Sequence, residues 1–321
     1  MAVRRRSMVN SGFKTTVGLI LLTVGFLATL GTILGFLGSF WWAFDALASF
    51  RVQYAAILLV CGLLYGLVLA RGAALLFIVL ALVNIGVVVP LYLRQPAAAA
   101  SDAGLTLVSY NVESIGRRMP EVVTWLDQTT ADIVFLLESS EDWEGPLRSS
   151  TFDVVNELPV DRRSGILVLS KMDADVSLMR LGRVREPVVR VETNVAGEDI
   201  VVYAVRVKAA NTETAAVQHA EVLEELAEAA SGELLPVVVM GDLGDTPWTH
   251  TFRQLAGDAD LVNSLDGYGI QPSWPAQMPF GLNLPLDHML HSRELTTMAR
   301  ATGPNLGADH LPLLVTVGLA G

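Results

Sequence analysis

The chain has 321 residues, of which 52% are hydrophobic, and its formal net charge is −11. Residues 1–100 carry seven basic residues and one acid, which gives +6, whereas residues 101–321 carry −17. So acidic a C-terminal region repels polyanions, which argues against a long nucleic acid as the partner. The single cysteine, Cys61, excludes a disulfide within the chain and a cysteine-based zinc site.

Three long apolar segments occupy most of the first 94 residues. They run from Thr16 to Phe40, from Val52 to Ala70 and from Gly72 to Leu93. None contains a charged residue, and each is long enough to cross a bilayer. The first exceeds the apolar region of a signal peptide and lacks a clear cleavage site. We therefore predict a membrane domain of three transmembrane helices over 1–94, followed by a linker over 95–104.

Basic residues predict the orientation of this domain, because lysine and arginine favour cytoplasmic loops. The N-terminus carries Arg4, Arg5, Arg6 and Lys14. Arg71 suits a cytoplasmic turn between the second and third segments, while Arg51 near the outer end of the second is one dissenting charge. We expect a multi-pass protein of the cell (inner) membrane with a cytoplasmic N-terminus and an extracytoplasmic C-terminal domain.

Small and polar residues within the apolar segments bear on helix packing. Gly31 with Gly35, and Gly62 with Gly66, form two GxxxG patterns. These patterns indicate close helix packing and a possible helix-mediated oligomer, but glycine is also common in membrane helices. Asn84 is predicted to make an interhelical hydrogen bond.

The region from 105 onwards alternates between strands and helices. The predicted strands are 105–112, 131–139, 165–171, 188–193, 200–208, 236–242, 286–292 and 311–319, with a Gly-Glu-Asp turn between the fourth and fifth. The predicted helices are 120–128, 212–230 and 248–255. This order favours an α/β sandwich over a strict parallel βαβ repeat.

Polar side chains lie where these strands begin or end. They are Asn111, Glu138, Asp242, Asp287-His288 and Asp309-His310. One rim of an α/β scaffold is where a site is usually assembled. Carboxylate and amide oxygens without cysteine suit Mg²⁺ or Mn²⁺, and an added histidine suits metal-assisted hydrolysis of a phosphate ester. An acid after a strand is more often a turn or helix cap, so only the ordered set is specific.

This ordered set resembles the endonuclease/exonuclease/phosphatase (DNase I-like) family over residues 105–319. The motifs that carry the resemblance are SYNV (109–112), DIVFLLES (132–139), GILVLSK (165–171), VVYAVRV (201–207), VMGDLGDTPW (239–248), LDHMLHS (286–292) and GADHLPLLV (307–315). PSWP (272–275) and the Pro-Trp after the Gly-Asp turn resemble a membrane-anchored bacterial branch. The family fold is a four-layer α/β sandwich, in which two mixed β-sheets pack face to face with helices outside.

The resemblance also implies roles for individual residues. Glu138 would be the principal metal ligand, Asn111 would orient metal or phosphate beside it, and Asp309 would assist with the metal. Asp242 would position and deprotonate the attacking water.

On the phosphate side, His310 would contact the scissile phosphate and stabilise its developing charge. Asp287 would hold His310 in the correct tautomer. The alternatives are a strand cap for Asp287 and a hydrogen-bonded rim histidine for His310.

Three positions depart from the family pattern. Arg206 stands where the family has a histidine; arginine cannot donate a proton at useful pH but can bind phosphate through two nitrogens. Gly244 and Ile166 each stand where the family has an asparagine. Arg206, Lys208 or Asp245 could compensate, although Asp245 is more simply interpreted as an N-cap.

Two functions remain open. The first is a membrane-anchored, divalent-metal-dependent phosphoesterase that acts on a small or lipid-linked phosphate ester. The second is a weak or inactive pseudoenzyme that serves as a membrane-bound binding or scaffold module. A nuclease is disfavoured by the charge, and His219 on the acidic helix is interpreted as solvated.

Overall fold

The computed structural model describes residues 2–68, 71–113, 115–155 and 165–321. The chain divides into two compact units, Met1–Pro90 and Leu91–Gly321. The last two residues of the second predicted apolar segment lie outside the described residues.

The first unit is helical. Its helices are α1 (Ala2–Leu34), α2 (Trp42–Ala48), α3 (Arg51–Val68) and α4 (Arg71–Val88), with a 3₁₀ turn at Gly35–Phe40. One stretch in the described part of the chain, Thr15–Phe40, is apolar and long enough to cross a membrane by itself. It lies near the N-terminus, where a membrane anchor and a signal sequence share these properties.

The prediction of three transmembrane helices is therefore not borne out, because the described residues supply one candidate membrane helix. The second predicted segment belongs to a pair, Trp42–Ala48 and Arg51–Leu67, that bends by 66° and counts as a span only if its two helices act together. The third yields the shorter apolar helix Gly72–Val88. Pro90 follows it and has no amide hydrogen to continue the helical bonding, so a separate short helix, α5 (Pro90–Leu93), begins there.

A buried polar cluster connects α1, α3 and α4. Arg51 is 2% exposed, and its Nη1 donates to the carbonyl of Thr32 (3.1 Å) and to Oδ1 of Asn84 (3.4 Å). Asn84 in turn donates to Oγ1 of Thr32 at 2.9 Å, which confirms its predicted interhelical hydrogen bond. Burying an arginine is tolerated here because neighbouring oxygens accept its hydrogens.

The GxxxG glycines pack within this unit. A Cβ on Gly31 would lie 2.5 Å from the ring of Tyr54, and a Cβ on Gly62 would lie 2.8 Å from Ile78. These glycines therefore let α1 approach α3 and α3 approach α4. The helix-mediated oligomer stays a prediction.

The second unit contains two six-stranded sheets. Its strands are β1 (Leu105–Asn111), β2 (Ile133–Ser139), β3 (Asp153–Val154), β4 (Gly165–Ser170), β5 (Asp175–Leu181), β6 (Glu186–Val195), β7 (Glu198–Arg206), β8 (Val237–Asp242), β9 (Val262–Asn263), β10 (Asp287–His291), β11 (Leu295–Thr302) and β12 (Leu313–Leu319). The first sheet has the order β11-β12-β1-β2-β4-β3, and the second has the order β5-β6-β7-β8-β10-β9. Both are mixed, because β1–β2 and β7–β8 are parallel whereas the other ladders are antiparallel.

Helices cover the outer faces of both sheets. They are α6 (Met119–Asp127), α7 (Glu144–Leu147), α8 (Glu213–Ser231) and α9 (His250–Asp258). Both sheets contribute side chains to the core between them, including Leu107, Phe135, Val202 and Met240. Separate apolar clusters fill the spaces beneath α6 and beneath α8 and α9. The predicted packing of two mixed sheets between helices is confirmed.

Several details differ from the sequence prediction. Strands β5 and β11 were not predicted, and the β6–β7 hairpin turns at Ala196-Gly197 rather than at Gly-Glu-Asp. Both turn residues have positive φ, +53° and +96°, which matches the twist that a two-residue hairpin requires. The predicted linker is held along β12, where the amide of Ala100 donates to the carbonyl of Leu319 at 2.8 Å.

Candidate active site

Seven residues predicted from the sequence lie at one rim of the sandwich. They are Asn111, Glu138, Arg206, Asp242, Asp287, Asp309 and His310. In the second sheet, Arg206, Asp242 and Asp287 are directly paired neighbours on β7, β8 and β10. The other four come from β1, β2 and the loop before β12 in the first sheet. The rim is therefore assembled by packing the two sheets face to face.

Glu138 owes its position to an irregularity in β2. Its φ is +55°, and the β2–β4 register shifts between Leu137 and Ser139. A bulge of this kind re-aims a side chain, and a left-handed conformation outside glycine persists only where the surroundings enforce it. The bulge thus turns the Glu138 carboxylate toward the opposite sheet.

The Gly-Asp turn after β8 is shaped by two glycines. Gly241 has φ +145°, and a Cβ there would overlap the carbonyl oxygen of Val205. Gly244 has φ +65°, and a Cβ there would lie 2.8 Å from the carbonyl oxygen of Val207. The amide of Gly244 donates to Oδ1 of Asp242 at 3.0 Å, which fixes the carboxylate. The conformation of this turn therefore requires a glycine at position 244. The same glycine means that the asparagine of the family pattern is missing there.

Asp242 is connected across the rim to Asn111 and His310. The Asn111 amide nitrogen donates to Oδ2 of Asp242 (3.0 Å) and to Oε1 of Glu138 (3.1 Å). Nε2 of His310 lies 3.6 Å from the same Oδ2 of Asp242. One amide thus bridges the acids of the two sheets.

Asp287 and His310 form the predicted carboxylate–histidine pair. Nδ1 of His310 lies 2.7 Å from Oδ2 of Asp287, which is 1% exposed. The hydroxyl of Ser273 accepts the amide hydrogen of Asp287 at 3.1 Å, and Arg300, also buried, donates to the Asp287 carbonyl at 3.3 Å. The ring of Trp274 lies 6.5 Å from that of His310. The PSWP motif therefore supports this pair from behind.

Burial and neighbouring charges shift the pKa of Asp242 and the pKa of His310, which face each other across the rim. Burial, with a contribution from the Asp287 charge, raises the pKa of Asp242 to about 6. Burial by itself would lower the pKa of His310, but the charge and hydrogen bond of Asp287 raise it to about 9. At neutral pH the rim therefore presents an ionised Asp242 beside a protonated imidazole.

Arg206 makes the second charged contact across the rim. Its Nε lies 2.5 Å from Oε1 of Glu138, and the two side chains are 19% and 10% exposed. Glu186, at the start of β6, is a nearby acid that the sequence analysis missed. Burial raises the pKa of Glu186, while the charges of Lys208 and Arg206 lower it.

The acids at this rim fit a hard cation in part. No protein group donates to the buried Oδ1 atoms of Asp287 and Asp309 among the described residues, so both oxygens remain available as ligands. Donor atoms of Asp242, Asp287 and His310 lie within 4.8 Å of one another. His310 suits the role of ligand poorly, because its protonated ring would have to lose a proton first. Glu138, the principal ligand implied by the resemblance, is the acid already paired with Arg206.

Asp245, one of the residues that could compensate, is held by side chains outside the predicted site. Its Oδ2 lies 2.8 Å from Nε2 of His219 and accepts from Oγ1 of Thr251 at 2.5 Å. His219 is 2% exposed, so the expectation of a solvated histidine was wrong. Its Nδ1 lies 2.8 Å from the carbonyl of Lys208, so His219 joins the end of β7 to the Gly-Asp turn.

Ile166 lies in the core between the two sheets and is 1% exposed. An isoleucine there contributes packing to the core in place of an amide. The asparagine contact of the family pattern is therefore missing at this position.

Comparison with known proteins supports the fold assignment. The model of the "Endonuclease/Exonuclease/phosphatase family" matches residues 108–310. No curated protein matches the sequence significantly.

Among solved structures, an endonuclease/exonuclease/phosphatase from Beutenbergia cavernae is similar, with a TM-score of 0.54 and 15% identity over 68% of this chain and 72% of that one. D. rerio TDP2 in complex with a single-strand DNA product has a TM-score of 0.56 and 12% identity over 68% and 100%. A mannosyl-6-phosphatase from Bacteroides thetaiotaomicron has a TM-score of 0.52 and 14% identity over 66% and 99%. At these identities the likeness shows the fold alone.

Proposed function

The chain belongs to the Endonuclease/Exonuclease/phosphatase family, and we propose that it is a divalent-metal-dependent phosphoesterase with an altered phosphate-contacting side. The observation that carries this proposal is the rim itself, where Asp242, Asp287 and His310 converge beside Asn111 and Glu138. Mg²⁺ or Mn²⁺ is the proposed cation, because the available donors are carboxylate and amide oxygens.

We propose a separate role in hydrolysis for each of these residues. Asp242 is fixed by Gly244 and Asn111, and it accepts the proton of an attacking water. His310, held by Asp287, carries a proton at neutral pH and donates a hydrogen bond to a phosphoryl oxygen. A cation held by Glu138, Asn111 and Asp309 would polarise the phosphoryl group.

The proposed substrate is a small or lipid-linked phosphate ester. The −17 charge of residues 101–321 disfavours a long nucleic acid, and an apolar N-terminal helix is compatible with action at a membrane. A mannosyl-6-phosphatase among the similar folds is compatible with a small substrate.

Hydrolysis by the full-length protein in detergent tests this function. We expect bis(p-nitrophenyl) phosphate or a phospholipid to be hydrolysed with Mg²⁺ or Mn²⁺, and EDTA to stop the reaction. Asp242→Asn is expected to lower kcat by roughly 10²–10⁴. Asp260→Asn, the same change at an exposed acid, serves as the matched control. Turnover that survives EDTA or Asp242→Asn would exclude the proposed site.

A pseudoenzyme is the second candidate, and two observations favour it. Arg206 already neutralises Glu138, and a Cβ on Gly244 would lie 2.8 Å from the carbonyl oxygen of Val207, so any side chain there requires a shift of the turn. The absence of turnover with every substrate and metal, in a folded protein, would favour this candidate.

Membrane attachment is a further part of the proposal. We propose that the N-terminal apolar unit anchors the protein with the arginine-rich N-terminus in the cytoplasm. One span or three would place the second unit outside the cytoplasm, whereas two would return it to the cytoplasm. A periplasm-active reporter fused after Gly321 distinguishes an odd number of spans from two, because it is inactive if the chain crosses twice. The same reporter fused after Phe40 tests whether the first apolar helix crosses the membrane.

A further inference from the structure

Arg206 occupies the carboxylate that the family resemblance assigns to the metal. Its Nε lies 2.5 Å from Oε1 of Glu138, in a contact that joins β7 of one sheet to β2 of the other. The same carboxylate oxygen accepts a hydrogen bond from the amide nitrogen of Asn111. Glu138 is thus neutralised by a residue of the chain itself.

Two other acids of the rim each keep one carboxylate oxygen to which no group of the described residues donates. Oδ1 of Asp287 and Oδ1 of Asp309 are buried, and no protein donor in the described part of the chain reaches them. A divalent cation therefore finds acceptor oxygens at the rim. To bind Oε1 of Glu138 as well, it must displace Arg206, because two cations on one carboxylate oxygen repel each other.

A displaced Arg206 needs another anion. The guanidinium is largely buried, and a buried charge that loses its partner is costly. A phosphate group is a suitable replacement, because arginine can donate to two phosphate oxygens at once. Arg206 lies next to Asp242 in the ladder, at the rim where the phosphoryl group would lie.

We propose that Arg206 is an exchangeable internal cation, which pairs with Glu138 in the free protein and transfers to the phosphate group of the ligand when a divalent metal binds Glu138. The proposal deepens the proposed function and rests on it for the site at which metal and phosphate meet. Each ligand then makes room for the other, so the two bind cooperatively. The coupling must be reciprocal, because it is a property of one binding equilibrium.

Manganese binding measures this coupling without any reaction. The full-length protein in detergent is titrated with Mn²⁺, and free Mn²⁺ is followed by electron paramagnetic resonance with and without inorganic phosphate. A protein-free titration corrects for association between Mn²⁺ and phosphate. We expect phosphate to raise the Mn²⁺ affinity of the unaltered protein by about tenfold, within the usual range of such couplings.

The variant Arg206→Gln removes the internal cation. Its Mn²⁺ affinity without phosphate is expected to rise by about tenfold, and the further effect of phosphate is expected to fall below about threefold. If Arg206→Gln does not fold, Arg206→Met takes its place, because it keeps an unbranched side chain and carries no charge. Arg293→Gln is the matched control, since it removes the same charge from an exposed ion pair with Asp260. It should bind Mn²⁺ as the unaltered protein does.

Two results would overturn the exchange. One is equal Mn²⁺ affinity of the unaltered protein and the Arg206 variants without phosphate. The other is an equal phosphate effect in all of them. Loss of Mn²⁺ binding in Glu138→Gln verifies that the titration reports on this carboxylate. Coupling without turnover would support the exchange and remove the enzyme proposal, whereas turnover without coupling would do the reverse.

Discussion

The two charged pairs that cross the rim, Glu138–Arg206 and Asp287–His310, differ in depth and in how they are held. Asp287 and His310 are almost fully buried, and Ser273 and Arg300 fix Asp287 from behind. Glu138 and Arg206 are more exposed, and Glu138 lies on a β-bulge. We therefore expect Asp287–His310 to be a fixed pair that orients the imidazole, and Glu138–Arg206 to be a pair that can exchange partners.

The largest effect is expected when the fixed pair loses its charge. Asp287→Asn keeps the size of the side chain but removes the carboxylate that orients and charges His310. We expect kcat to fall by roughly 10²–10⁴, as for other carboxylates that orient a catalytic histidine. The pKa of His310, measured by NMR, should fall below about 9, because Asp287 is the main group that raises it. An unchanged kcat would show that catalysis does not depend on the Asp287 carboxylate orienting His310.

The stability of the two pairs offers a second test of the comparison. His310→Gln leaves the Asp287 charge buried, and we expect the free energy of unfolding to fall by about 3–5 kcal/mol. Glu138 is less deeply buried than Asp287, and in Arg206→Gln it still accepts a hydrogen bond from Asn111. We therefore expect the free energy of unfolding of this variant to fall by about 1–3 kcal/mol. Chemical denaturation of each variant measures both values. Equal losses would contradict the distinction between a fixed and an exchangeable pair.

The sequence identifies the residues of the rim better than it identifies their partners. The acids could be predicted because continuous apolar runs, such as those of β2 and β8, end in an acid at a recognisable turn. That Arg206 pairs with Glu138 depends on how two sheets meet, over a separation of 68 residues, and no local pattern encodes it. His219 did carry a local signal, because it shares the buried stripe of α8 with Val222, Leu223 and Leu226.

The strands that were missed are those without a clear apolar alternation. Strand β5 lies at a sheet edge and has mostly exposed or half-exposed side chains. Strand β11 is rich in threonine and alanine and has a register shift between Thr297 and Ala299. Edge strands bury less surface, so their composition constrains the prediction less.

A smaller effect is expected from substitutions at Gly244. They test whether the turn needs glycine for its conformation or whether the missing asparagine amide limits catalysis. Gly244→Ala and Gly244→Asn both add a Cβ that meets the Val207 carbonyl at positive φ, and each should cost about 1–3 kcal/mol of stability. We expect kcat of the asparagine variant to be no higher than that of the alanine variant. A higher kcat with asparagine would show that the turn accommodates an amide and that its loss had weakened the phosphate side.

The smallest effect is expected at a charged pair outside the rim, Glu233–Arg190. This pair serves as a comparison, because we expect it to contribute to stability and not to catalysis. Glu233 accepts from Nε of Arg190 and from the hydroxyl of Tyr203, both at 2.7 Å. The hydrogen bond from Arg190 holds the pKa of Glu233 below its ordinary value. Glu233→Gln should cost about 1 kcal/mol at neutral pH and leave kcat unchanged.

This contribution has a defined pH dependence. A carboxylate whose pKa is lowered by folding stabilises the protein above its ordinary pKa, and the stabilisation is lost as pH falls through the folded value. The difference in unfolding free energy between Glu233→Gln and the unaltered protein should therefore shrink in acid. If Glu233→Gln lowered kcat as much as Asp287→Asn does, the effect of Asp287→Asn would reflect general loss of stability rather than the orientation of His310.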